Sequence, residues 1–235
     1  MKENKIKSYL LYSIGEIVLV VVGILVAVQI DNLNEARKER KKEVHYLTNI
    51  RADLVSNLGI IDHFLEEWGQ CINSAQIVVE HIEGKPITDW DTFNRHCINV
   101  WNWERFYQTN NTFEELTYSG NLAIISNDSI KSQLLNLDAM LQRLIAEEDH
   151  FRFDSEEIIY PPLYELIDMH PLIQNYMGKD VTFTMDMYVE YFSDTRVKNG
   201  FLMAILEFST MNSQLRERKE ITHNLIEIID KEITR

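Results

Sequence analysis

The chain has 235 residues, 45% of them hydrophobic, with only 4 Pro and 8 Gly, a composition that excludes a disordered or proline-rich chain and suits helices with short connections. Its net charge is −14, and because the first 30 residues carry a slight positive excess the remainder is more acidic still. Such a surface repels phosphate backbones, so nucleic acid is not an expected partner.

Residues 1–8 form a basic flank with Lys2, Lys5 and Lys7. Residues 9–30 follow as an apolar run broken only by Glu16 and Gln29. Twenty-two residues at 1.5 Å each span about 33 Å, enough to cross the hydrocarbon of a bilayer. The run is longer than the core of a secretory signal and no small-residue cleavage site follows it, so it reads as an uncleaved transmembrane helix. Basic residues flank both ends and their count gives no decisive bias; the expected orientation is the N-terminus inside and the following domain outside. Glu16 is the most expensive residue of this anchor, because an ionised carboxylate at membrane depth costs about 3 kcal/mol on insertion scales. Three readings of it stay open: a group at the headgroup boundary, a hydrogen-bonding group across a helix interface, or the lining of a wet path. Glu16, Leu19, Gly23, Ala27 and Ile30 share one face, and Gly23 and Ala27 form a small-xxx-small pair that lets a second backbone approach.

Residues 31–43 are a charged helical stem, and residues 44–235 the soluble domain. An apolar repeat through Val44, Leu47, Leu54, Leu58, Ile61, Leu65, Trp68, Ile72, Ala75, Val79 and Ile82, with Arg51 as its polar member, predicts one helix continuous with the anchor until Gly84 and Pro86 end it. A shorter helix is predicted from Thr88 or Asp89 to Trp103, its aromatics reading as core. Thr112 to Glu115 reads as a capping box, Leu122 to Ile125 as an extended piece or tucked loop, and Asn127 or Asp128 as the cap of a helix reaching Phe153. Ser155 restarts a helix that Pro161 and Pro162 interrupt, and its continuation stops at His170-Pro171. Residues 181–185 alternate as a short strand does, and Val197 to Ile229 traces a second long helix.

The expected fold is all-α: an N-terminal transmembrane helix continuing into a long bundle helix, packed antiparallel against the long C-terminal helix, with a distal helical cap between them.

Two stretches carry a resemblance. The first holds Tyr9, Gly15, Glu16, Gly23, Ala27, Gln29, Asn32 and Asn34; the second runs from Phe113 through Ser119, Gly120, Asn121 and Leu122 to Asn127. Together they resemble an uncharacterised family of small single-span membrane proteins common in Bacteroidota. The resemblance implies a membrane anchor and a helical domain, and no activity.

No phosphate loop, nucleophile elbow, His-Glu-x-x-His or zinc-spaced cysteine pair is present. Glu147-x-x-His150 is half of a di-iron carboxylate pattern without its second half, so no metal, cofactor or catalytic residue is expected. Cys71 and Cys97 are either one bridge or two buried thiols. Ser119, Gly120 and Asn121 form a candidate ligand or partner loop.

The expected function is a self-associating, membrane-anchored interaction module (sensor, receptor or scaffold) without catalysis. Its partners are the bilayer, further copies of itself and another membrane or envelope protein, and its place is the bacterial inner membrane with a periplasmic domain. The alternative is a homo-oligomeric channel or membrane-permeabilising effector whose pore face carries Glu16, Gly23 and Ala27.

Overall fold

A computed structural model describes residues 2–181 and 186–235, the side chains of residues 2–14 and 187 excepted. Helix α1 runs unbroken from Lys2–Ile82, about 120 Å at 1.5 Å per residue. It is followed by α2 (Trp90–Trp101), α3 (Asn111–Tyr118), a 3-10 turn (Asn121–Ile124), α4 (Asp128–Asp154), a π turn (Ser155–Ile159), α5 (Tyr160–Leu166), α6 (Met169–Tyr176), α7 (Asp186–Ser193) and α8 (Thr195–Ile233). No strand occurs among the described residues, and the expected pairing of residues 181–185 lies largely outside them.

Helices α1 and α8 pack antiparallel as the sequence predicts. Three ion pairs mark the register: Arg51 with Asp230, Asp62 with Lys219 at 2.6 Å, and Glu83 with Lys198 at 2.6 Å. Each step of 11 and then 21 residues up α1 is matched by an equal step down α8. These partly exposed pairs align the helices more than they stabilise them.

Burial supplies the stability. The seam of α1 is Glu43, Leu47, Ile50, Leu54, Asn57, Ile61, Phe64, Trp68, Cys71, Ala75 and Val78, a strict alternation of four and three. That of α8 is Val197, Phe201, Ala204, Phe208, Met211, Leu215, Arg218, Thr222, Leu225, Ile229 and Glu232. Both are coiled-coil repeats. The sequence reading has alternate members of the α1 seam right (Leu47, Leu54, Ile61, Trp68, Ala75) and the others one residue late. Val44, Arg51, Leu58, Leu65 and Ile72 flank the seam, half-buried, while Glu43, Ile50, Asn57, Phe64 and Cys71 fill it.

The chain between the long helices does more than cap the far end. From α2 it descends along α1 as the non-helical segment 102–110, reaches the near end at α3 and the 3-10 turn, and climbs again as α4, a third long bundle helix. The descending segment has no helical hydrogen bonds of its own, so buried side chains of all three long helices serve it. Asn57 of α1 donates to the Thr109 carbonyl at 2.7 Å and accepts from its N–H at 2.8 Å. Glu148 of α4 accepts from the Phe106 N–H at 2.5 Å. Arg218 of α8 donates to the Gln108 side chain and the Leu137 carbonyl. Burial pulls the Arg218 guanidinium down to about 10. Asn57, Arg218 and Thr222 lie between two apolar cores, a near one around Leu47, Leu54, Ile130 and Leu225 and a larger aromatic one around Trp68, Phe151 and Phe208.

Local chemistry departs from expectation at five points. The capping box does not form: α3 starts at Asn111, the Thr112 N–H donates to Asp53 at 3.3 Å, and Glu115 accepts from Tyr46 at 3.0 Å. Long-range partners outcompete the local pair. Helix α2 ends at Trp101, two residues early, so that the Trp68 indole can donate to the Glu104 carbonyl at 3.1 Å. The expected restart at Ser155 and interruption at Pro161 merge into the π turn, which delivers both prolines to the first turn of α5, where a missing N–H is harmless. Gly200 of α8 sits against that turn, where a Cβ would lie 2.6 Å from Ile159. That next helix stops at Leu166, and Pro171 sits in the first turn of α6, capped by Asp168, instead of ending a helix. Residues 121–124 form a 3-10 turn and not an extended piece. Cys71 and Cys97 are free buried thiols, pushed up by burial, Cys71 to about 12.

Candidate functional site

Two adjoining regions of α1 carry the candidate site. The first is its apolar N-terminal half. Every residue from Gly15 to Glu39 is exposed, including Leu19 at 75% and Ile30 at 54%, and none of this candidate membrane span is covered by the rest of the described chain. Contiguous apolar surface of this length is not left to water by a folded protein.

Glu16, Leu19, Gly23, Ala27 and Ile30 share a face here, and a Cβ at Gly23 would meet nothing within 4 Å. That face does not continue the bundle seam as the sequence reading supposes. Stepping back in sevens from Val44 gives Arg37, Ile30, Gly23 and Glu16, a line beside the seam, and a straight helix drifts a further 20° or so per heptad. The seam itself points back through Ala36, Leu33, Gln29 and Val26. Over four heptads that drift carries the Glu16 end of the line towards the side of α1 opposite the seam, away from α8.

The second region is a collar about 20 Å beyond Ile30, estimated from 1.5 Å per residue. Glu43 is 3% exposed and its carboxylate is fully engaged. It accepts from the Ser126 N–H and hydroxyl, both at 2.6 Å, and from Arg40 at 2.6 Å. Arg40 also donates to the carboxylate of Glu232 at 3.4 Å and to its backbone carbonyl, and Asn127 donates to the other carboxylate oxygen of Glu232 at 2.8 Å. The Asn127 side-chain oxygen meanwhile caps α4, accepting from Ser129 and Ile130. One network thus ties the emerging α1 to the first turn of α4 and the last turn of α8. Burial alone would raise the Glu43 carboxyl, but the Ser126 and Arg40 hydrogen bonds outweigh it and hold it below the usual carboxylate range.

The predicted loop lies beside this collar. Gly120 has φ +72°, a left-handed conformation that favours glycine. Ser119 accepts from Asn121 at 2.9 Å and donates to the Glu115 carbonyl at 2.6 Å. Of the three, Asn121 alone lines a cleft of about 500 Å³ that opens between the loop and Ala36, Glu39 and Lys42 of the stem. The collar residues proper (Arg40, Glu43, Ser126, Asn127 and Glu232) were not singled out from sequence as a site. The strict four-three alternation ending at Glu43 and Glu232 is the signal that marks two of them.

His150, predicted to be a surface or packed residue, meets Asp154 of its own helix and Glu207 of α8. This cluster is remote in sequence from Arg40, Glu43, Ser126 and Asn127 of the collar.

A sequence model of a family described as a family of unknown function (DUF6090) matches residues 16–152, more than half of the chain. No curated protein and no solved structure matches.

Proposed function

This chain belongs to the DUF6090 family, whose function is unknown, and we propose that it is a single-span, membrane-anchored helical module that self-associates and acts through protein contacts, as a sensor, receptor or scaffold, without catalysis. One observation carries the reading: α1 passes without a break from an uncovered apolar half into the collar and bundle. The apolar half supports anchoring in a bilayer, the one environment that satisfies apolar side chains on all sides of a single helix. The collar supports mechanical coupling, because a helix clamped to α4 and α8 carries a rotation or tilt of the span into the bundle. Self-association rests on the Glu16, Gly23 and Ala27 face, whose small residues leave room for a second backbone. The resemblance to single-span proteins of Bacteroidota supports the inner membrane, with the bundle on the periplasmic side and another membrane or envelope protein as partner.

A second reading, a homo-oligomeric channel, is favoured by one feature: a carboxylate at Glu16 within the apolar half, on the side that holds Gly23. Disulfide trapping in membranes separates these readings. The native thiols are buried and do not compete. Gly23→Cys and Ala27→Cys are expected to trap dimers and Leu25→Cys, on the opposite side, to trap none. The absence of trapping at any position removes self-association through the span. A liposome ion flux that disappears in Glu16→Gln replaces the module with the channel.

A further inference from the structure

We propose that His150, Asp154 and Glu207 form a binding site for a first-row divalent cation of the zinc type, stapling α4 to α8 beside the π turn. His150 and Asp154 are four residues apart and so lie on one face of α4. Glu207 enters from α8, and one ligand atom from each of the three lies within 4.8 Å of the others. Asp154 and Glu207 are 8% and 5% exposed, while His150 stands at the surface and provides a route in from solvent.

The carboxylate of Glu207 points to a cation more strongly than the proximity of the three groups does. One oxygen sits 2.5 Å from the His150 Nδ1. The other is buried without any hydrogen-bond partner. A carboxylate oxygen stripped of water and left unpaired carries an uncompensated desolvation penalty, so it calls for a donor or an ion. The surroundings supply no compensating donor. Asp154 and Glu147 add their negative charge at Glu207, and the nearby arginines are engaged elsewhere, Arg105 with Glu148 and Asp149, and Arg152 with Asp149 and Glu156. His150 is the group that hydrogen-bonds to Glu207.

The donor set selects the class of ion. One imidazole nitrogen with two carboxylates suits zinc and its first-row neighbours, whereas calcium and magnesium prefer oxygen donors alone. Bonds of about 2.1 Å from His150 and Glu207 to one ion require their contact to open to roughly 3 Å, a movement that an exposed imidazole makes freely. Three protein donors leave further positions for water. The site joins the end of α4 to α8 where the helix passes from Asp154 into its π turn.

The test uses the full chain in detergent, freed of metal with a chelator and titrated with Co²⁺ and then Zn²⁺. One equivalent of Co²⁺ per chain is expected, with visible ligand-field absorption that Zn²⁺ abolishes and a rise in melting temperature. His150→Ala and Glu207→Gln should each weaken binding at least about tenfold, while the remote exposed variant Glu66→Gln binds as the parent does. Melting curves in chelator establish that each variant is folded before titration. Absence of saturable absorption, or affinity unchanged in His150→Ala and Glu207→Gln, overturns the site and leaves only diffuse attraction to an acidic surface. Loss of binding in Glu66→Gln overturns it equally.

Discussion

The two halves of α1 are one helix with two kinds of surface. Between Gly15 and Glu39 its apolar side chains occupy every side and all are exposed. Between Glu43 and Val78 the buried residues, Ser74 apart, fall on a single four-three seam, and most of the remaining circumference is polar or half-buried. The backbone is the same, so the difference lies in what surrounds it. A helix in lipid needs apolar groups all round, and one in a bundle needs them only where another helix lies. The collar marks the changeover, because among the described side chains of α1 Arg40 and Glu43 are the first to hydrogen-bond elsewhere in the chain.

Five substitutions sharpen this contrast. Trp68→Ala opens the larger core, where Trp68 is 1% exposed, and is expected to destabilise the bundle by about 4 kcal/mol. Leu19→Ala in the other half should change the same denaturation midpoint by less than about 0.5 kcal/mol. Equal effects from the two would erase the distinction between the halves. Glu43→Gln comes next, at about 2 kcal/mol near neutral pH, because the amide cannot receive Ser126 and Arg40 as the carboxylate does. The native carboxyl is held below its ordinary value of 4.5, so its contribution is full above that pH and is lost as pH falls through the native value. The gap between parent and variant should therefore close in acid, and a gap independent of pH would contradict the collar. A smaller effect belongs to Gly200→Ala, whose added carbon must displace Ile159 from 2.6 Å, at about 1–2 kcal/mol. Gly23→Ala, with nothing within 4 Å, should leave bundle stability unchanged.

The long helices, their antiparallel pairing and the unbroken passage from apolar run to bundle are legible in the sequence, because each rests on local periodicity. The register was half legible. Val44, Arg51, Leu58, Leu65 and Ile72 make a fairer apolar stripe than Glu43, Ile50, Asn57, Phe64 and Cys71, so hydropathy alone favours the wrong line. Glu43 and Asn57 belong in the seam only because Ser126 and Thr109, 83 and 52 residues away, satisfy them there. The same holds for Arg218, which serves a descending segment that no local pattern announces. The meeting of His150 with Glu207 is equally hidden, since a Glu-x-x-His pattern points to a second copy of itself and the third donor arrives singly from α8. Local chemistry at Thr112 and Glu115 misled for the converse reason, as Asp53 and Tyr46 compete for them.

The proposed self-association of an anchored rod is tested most directly by the mass of the full-length protein extracted in native lipid discs. The Glu16, Gly23 and Ala27 face predicts two copies per disc, reduced to one by Gly23→Leu while the bundle stays folded. Four or more copies would shift the reading to the channel, and a single copy in the unmodified protein would contradict the proposal outright.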